Sequence, residues 1–142
     1  MPWSAALQIR SDPAELSRLA QWLESWAQQH GVAEETAQQV DLCTAEAVTN
    51  VMTHGLADST THQIELRIGH EGDDVVFEIE DDGVAFDPTQ AALPEPVTMD
   101  SDRVGGWGMR IVRRLSDEVR YSRVNDRNRL TLVFHPRPSA AA

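Results

Sequence analysis

Three short clusters hold the residue types from which chemistry is made, spaced along a chain of 142 residues. The first is Glu46-Ala47-Val48-Thr49-Asn50. On a helix, residues four apart share a face, so Glu46 and Asn50 project together. A carboxamide oxygen is a hard ligand suited to Mg²⁺, and a carboxylate one turn earlier can orient or deprotonate an attacking hydroxyl. The second cluster is Asp81-Asp82-Gly83-Val84-Ala85-Phe86, directly after an apolar run. A carboxylate at a strand end only accepts hydrogen bonds, and the exocyclic amine of adenine donates one. Gly83 removes a side chain where a flat base would lie. The third is Gly105-Gly106-Trp107-Gly108-Met109, at the opening of a helix. Clustered glycines let backbone amides approach phosphates, and a helix N-terminus adds a favourable dipole. Each cluster alone has a commoner meaning: a solvated helix face, a turn after a strand, a flexible joint. Their order, each on the kind of element its chemistry needs, is what gives them joint weight.

The elements that must position these clusters follow from periodicity. Trp3 to Arg10 alternates loosely and is short, as an edge strand would be. Ser11-Asp12-Pro13 is a helix start, after which Leu16, Leu19, Ala20, Leu23 and Ala27 recur at helical spacing until Gly31. A second helix is predicted from about Ala33 to His54, with an apolar stripe through Ala37, Val40, Cys43, Ala47, Val48 and Val51. The period then changes to two, and the turn Glu71-Gly72-Asp73-Asp74 makes an antiparallel hairpin of Ile64 to Ile79. Residues 81–106 have no clear period and form a loop longer than most in a compact domain. A helix follows from about Met109 to Leu115, then strands Glu118 to Val124 and Arg129 to His135, with a turn at Asn125 to Asn128. Helices and strands are segregated. That points to an α+β two-layer sandwich, three main helices on one face of a mixed or antiparallel sheet. The whole chain, 1–142, reads as one domain with a frayed tail over 136–142.

Composition narrows the function classes. The formal net charge is −11, from 12 basic and 23 acidic residues. A negative field disfavours nucleic acid and anionic membrane as partners and favours a basic protein surface. All 12 basic residues are arginine, which excludes the Gly-Lys-Ser/Thr phosphate loop and Schiff-base chemistry. A nucleotide triphosphate would have to be held by backbone amides, arginines and a metal ion. The single cysteine, Cys43, cannot form an internal disulfide, and no Cys/His cluster has zinc-ligand spacing. No apolar run reaches the ~20 residues that span a bilayer, and the start of the chain lacks signal-peptide character, so a cytoplasmic protein is expected.

The joint pattern resembles the Bergerat-fold, or GHKL, ATP-binding family, which includes gyrase, Hsp90, histidine kinases and MutL. Within it, the chain most resembles the bacterial anti-sigma serine kinases of the RsbW and SpoIIAB type. Glu46 to Gly55 resembles their N box, Asp81-Asp82-Gly83 the G1 box, and Gly106-Trp107-Gly108-Met109 the G2 box. The resemblance runs over roughly residues 3–135. It implies a Bergerat fold binding ATP and Mg²⁺, with Asn50 ligating the metal and Glu46 acting as general base. Asp81 would bind adenine with Gly83 beside the ring. Gly105, Gly106, Gly108 and Met109 would line the phosphates beneath a lid over about 87–106, and Arg103 would contact the γ-phosphate or face solvent. The implied activity is that of a serine/threonine protein kinase in a partner-switching circuit. Such a kinase phosphorylates an anti-sigma-factor antagonist of the STAS fold, sequesters a sigma factor, and forms a homodimer through the sheet side. A non-catalytic ATP-binding regulatory module is the alternative. Arg18 approximately matches a partner-contacting arginine of that family and equally suits an ordinary helix surface. Two departures stand out. Ala85 replaces a frequent second glycine, and Asn128-Arg129 replaces the usual Gly-Thr before the last strand, so no role is assigned there.

Overall fold

The computed structural model describes residues 3–55, 62–89 and 104–136, with the backbone alone at 54–55 and 104–108. Five strands form one sheet in the order β1-β2-β3-β5-β4. They are β1 (Trp3–Arg10), β2 (Gln63–Glu71), β3 (Asp74–Asp81), β4 (Glu118–Val124) and β5 (Arg127–Phe134), and every neighbouring pair is antiparallel. The expected edge position of the first strand is observed. Each hairpin closes on residues that tolerate left-handed backbone. Gly72 has φ +63° between β2 and β3, and Asn125 and Asp126 have φ +53° and +61° between β4 and β5. Two consecutive positive φ values make the tight two-residue turn whose twist matches its strands. The last hairpin is therefore tighter than expected, and Asn128 belongs to β5 and not to a turn.

Strand alternation sorts the side chains into two faces. Leu66, Ile79, Leu130 and Tyr121 stand side by side across four strands, and Ile68, Phe77, Leu132 and Val119 form the next row. These rows face the helices and make the core, in which Phe77, Ile79 and Leu132 are fully buried. Truncating Phe77 to alanine would cost about 3–5 kcal/mol by transfer and cavity formation together. The opposite face carries an ionic ladder. Arg67 pairs with Glu78 at 2.6 Å and Glu65 at 3.0 Å, while Arg129 pairs with Glu80 at 2.9 Å. The long arginine stems cover this face, which leaves Glu78 and Glu80 each only 7% exposed.

Helix α1 (Leu16–Gln29) follows a short 3₁₀ turn capped by Asp12, whose carboxylate accepts from the Ala14 amide at 3.0 Å. Gly31, at φ +65°, ends α1 in the left-handed conformation that penalises other residues. Its buried face presents Leu19, Leu23, Trp26 and Ala27, and Trp22 meets Phe77 edge-on at 6.5 Å. Helix α2 (Glu34–Asn50) starts with two acidic residues, favourable to the helix dipole, and runs into a π-helical turn at Val51–Gly55. Thr49 and Thr53 hydroxyls each bond a carbonyl one turn back, at 2.7 and 2.9 Å, a contact that tends to bend helices. Helix α3 (Val104–Leu115) packs against α2.

Candidate nucleotide-binding site

The last turns of α2 bring Glu46 and Asn50 to one place. Asn50 is 4% exposed, and its carboxamide has no hydrogen-bond partner among the described residues. A carboxamide on a buried residue with no protein partner is left to water or a ligand. Glu46 is half-buried one turn before it. Burial first, and the Glu46 charge second, push the Cys43 thiol up to about 12. Cys43 is thus a buried hydrophobe with no nucleophilic part to play, as its place in the helical stripe suggested.

Asp81 lies two residues beyond Ile79 on the same strand, so it continues the inner face past the end of the apolar rows. It pairs in register with Asn128, which in turn pairs with Arg123. This polar row closes the core beside Asn50. Asp81 is 3% exposed, and its Oδ1 accepts from the Gly83 amide at 2.9 Å and from Asn128 Nδ2 at 3.0 Å. Its Oδ2 has no partner among the described residues. Gly83 thus makes the turn in which its own amide pins the carboxylate, and its carbonyl accepts from Arg123 at 2.9 Å. Asn128, 5% exposed, also donates to the Val84 carbonyl at 2.8 Å and accepts from Tyr121 Oη and from Arg123 at 3.1 Å. The sequence assigns Asn128 no role because Asn128-Arg129 stands where the resembling family usually has Gly-Thr. Period two counted back from Phe134, Leu132 and Leu130 would have set it on the inner face opposite Asp81.

Asn50, Val51, Asp81, Phe86, Tyr121 and Asn128 all border one hollow of about 20 Å³. A larger groove, about 470 Å³, lies elsewhere, between α1 and α2. It is bordered by Glu24, Glu34 and Asp41, whose negative charges repel phosphates, and burial and then Glu24 raise the Asp41 carboxyl. The chemistry favours the small hollow.

Helix α3 begins at Val104, five residues earlier than expected. Gly105, Gly106 and Gly108 therefore sit within its first turns and not in a loop before it, and the expected lid ends before 104. The first four amides of a helix have no intrahelical partner, so those of Gly105 and Gly106 lie outside the helix's own bonding, whereas that of Gly108 enters it. Met109 is 5% exposed and packs in the core, which leaves only its backbone for a phosphate. At the other end of the lid, the Asp87 carboxylate caps the Thr89 amide at 2.9 Å, and Arg113 donates to the Pro88 carbonyl at 3.2 Å and to that of Thr89. Arg103 and the rest of the lid lie outside the described residues. Arg18, with a side chain 56% exposed, reaches the Gln8 carbonyl at 3.2 Å and Glu15 at 3.4 Å.

Residues 9–134 match the family described as the histidine kinase-like ATPase domain. The chain belongs to this family. Serine/threonine-protein kinase BtrW of Bordetella bronchiseptica is 30% identical to it, over 94% of this chain and 100% of BtrW. Among solved structures, the RsbU and RsbW domains of Rv1364c from Mycobacterium tuberculosis superpose with a TM-score of 0.62 at 17% identity, over 95% of this chain. The blue-light activated histidine kinase EL346 of Erythrobacter litoralis gives 0.53 at 24% identity over 78%. The domain spans 34% of the length of each of those two solved chains, and at such identities they speak for the fold alone. The likeness to BtrW along nearly the whole of both chains sets the domain among the serine/threonine protein kinases of this ATPase family. No helix among the described residues is long and apolar enough to cross a membrane.

Proposed function

We propose that this domain is an ATP-dependent serine protein kinase of a partner-switching circuit, acting on a STAS-domain antagonist and sequestering a sigma factor. One observation carries the reading. Asn50 and Asp81 are buried residues whose carboxamide and Oδ2, respectively, have no hydrogen-bond partner among the described residues, and both border the same hollow one turn from Glu46. Asp81 Oδ2 is the acceptor for the exocyclic amine of adenine. Asn50 offers its carboxamide oxygen to Mg²⁺, which would screen the phosphate charges. Among the described residues there is no group of three or more His, Cys, Asp or Glu able to hold a metal. A magnesium ion at Asn50 would therefore draw its other ligands from phosphate and water, as this ion commonly does. The first-turn amides of α3 face charge that develops on the phosphates, and Glu46 takes the proton of the incoming serine hydroxyl. Ligand pockets commonly measure about 300–1,000 Å³, so a base reaches Asp81 only with the Phe86 and Pro88 wall displaced outward. A homodimer belongs to the same reading and is checked by sedimentation.

The test is transfer of label from γ-labelled ATP to candidate STAS-domain antagonists. Glu46→Gln should slow transfer about 10²–10⁴-fold, the usual scale of general-base loss, while ATP affinity stays within about threefold. Transfer undiminished in that variant would sink the base assignment. ATP binding with no transfer to any antagonist would favour the non-catalytic module. Co-purification with and without ATP identifies the sequestered protein.

A further inference from the structure

We infer that Asn128 makes this site selective for a 6-amino purine, by locking Asp81 with a single oxygen aimed at the base. The inference rests on the nucleotide-site reading above and adds to it the residue that sets how strictly Asp81 reads the base.

The carboxamide of Asn128 has no spare capacity. Nδ2 donates to Asp81 Oδ1 at 3.0 Å and to the Val84 carbonyl at 2.8 Å. Oδ1 accepts from Arg123 at 3.1 Å, from Tyr121 Oη, and more weakly from the Phe86 amide at 3.4 Å. Its orientation is decided by chemistry. Arg123 can only donate, and the Asp81 carboxylate and Val84 carbonyl can only accept, so a flipped amide would set oxygen against oxygen on one side and N–H against N–H on the other. Asn128 borders the hollow, but with its polar atoms spent it reads the base through Asp81 and not by a hydrogen bond of its own. It is a positioning residue.

The effect on Asp81 is to fix a plane. Two donors, the Gly83 amide and Asn128 Nδ2, converge on Oδ1, and Oδ2 has no partner among the described residues. An adenine amine satisfies that oxygen. A 6-oxo purine presents a lone pair to it, and its nearest donor, the ring N1–H, lies to one side, where the pinned carboxylate cannot swing. A site built to receive a hydrogen bond rejects an analogue lacking the donor more strongly than a shape-based site does. Tyr121 and Arg123, both on β4, hold the carboxamide from behind, so the β4–β5 hairpin is part of the base-reading apparatus.

The test uses the full chain, with ATP and ITP as probes and affinities measured by calorimetry. Asn128→Asp keeps the shape and the acceptors for Tyr121 and Arg123 but removes the donor to Asp81. It should weaken ATP about tenfold or more while ITP changes less than about threefold, so that the preference collapses. Tyr121→Phe keeps the ring at the border of the hollow, removes only the hydroxyl bonded to Asn128 Oδ1, and should lower the ATP-to-ITP preference about two- to fivefold. A merely structural role would weaken both nucleotides equally. The inference is overturned if folded Asn128→Asp and Tyr121→Phe both keep the wild-type ratio within twofold, or lose both nucleotides in parallel. Should Asn128→Asp fail to fold, Tyr121→Phe alone decides. A wild-type protein that binds neither probe overturns the ATP reading itself, whereas normal ATP binding with an unmoved ratio overturns this inference only.

Discussion

Replacing Asn50 by leucine should stabilise the protein and abolish its response to nucleotide in the same stroke. Asn50 is 4% exposed and its carboxamide has no partner among the described residues, an arrangement that costs up to about 1–3 kcal/mol where water is kept out. Leucine has nearly the same shape and removes that cost, and its helix propensity adds at most about 0.5 kcal/mol, too little to explain the effect alone. A net gain of about 1–2 kcal/mol is expected without nucleotide. At roughly 4 °C per kcal/mol for a domain of this size, the melting midpoint rises by about 4–8 °C. Wild-type protein at a hundredfold excess of ATP and Mg²⁺ over its Kd should gain about 2.7 kcal/mol by linkage, and the variant almost nothing. Differential scanning calorimetry of both proteins, with and without ATP and Mg²⁺, reads all four midpoints. A variant that melts lower than wild type without nucleotide would mean that Asn50 has a structural partner. An undiminished nucleotide shift would mean that it is no ligand. Either result refutes the reasoning.

The ionic ladder gives an acid-side prediction. Burial pushes the Glu80 carboxyl up, but the Arg129 hydrogen bond, with the Arg67 and Arg127 charges, outweighs it and leaves the group below its usual range. A depressed carboxyl stabilises the fold above its unfolded value of about 4.3, and that contribution fades as pH falls through the lowered folded value. Glu80→Gln should therefore cost about 1–2 kcal/mol at pH 7 in urea denaturation, with the difference from wild type narrowing toward pH 3. His135 behaves oppositely: its hydrogen bond to Asp74 at 2.8 Å raises the imidazole, so the support is present below about pH 6.5 and is lost as pH rises through the folded value. An NMR titration should find His135 above the usual imidazole range and Asp74→Asn should bring it down; an unmoved titration would refute the pairing. Cys43, fully buried with its thiol at about 12, should resist iodoacetamide in the folded state and react fully in denaturant.

Much of the site was legible because its parts are local. Glu46 and Asn50 share a face by helical spacing alone, and Asp81 shares the core face with Ile79 by strand alternation alone. Two boundaries were misplaced for one reason: glycine and turn-prone residues look alike at the start of a helix and in a loop. Gly105, Gly106 and Gly108 were set before α3 when they open it, and Asn128 was set in a turn when Asn125 and Asp126 already complete one.

What the amino-acid order determined by itself was which side chains share a face, the absence of a lysine-dependent phosphate loop, and the succession of elements. Only the tertiary structure decided that the ends of α2, β3 and β5 meet at one hollow, and that Asn50 and Asp81 Oδ2 come together there with no partner among the described residues. The physical reason is range. Periodicity acts over a few residues of one chain segment, whereas the pairing of Asp81 with Asn128, 47 positions apart, exists only once the strand register brings them together.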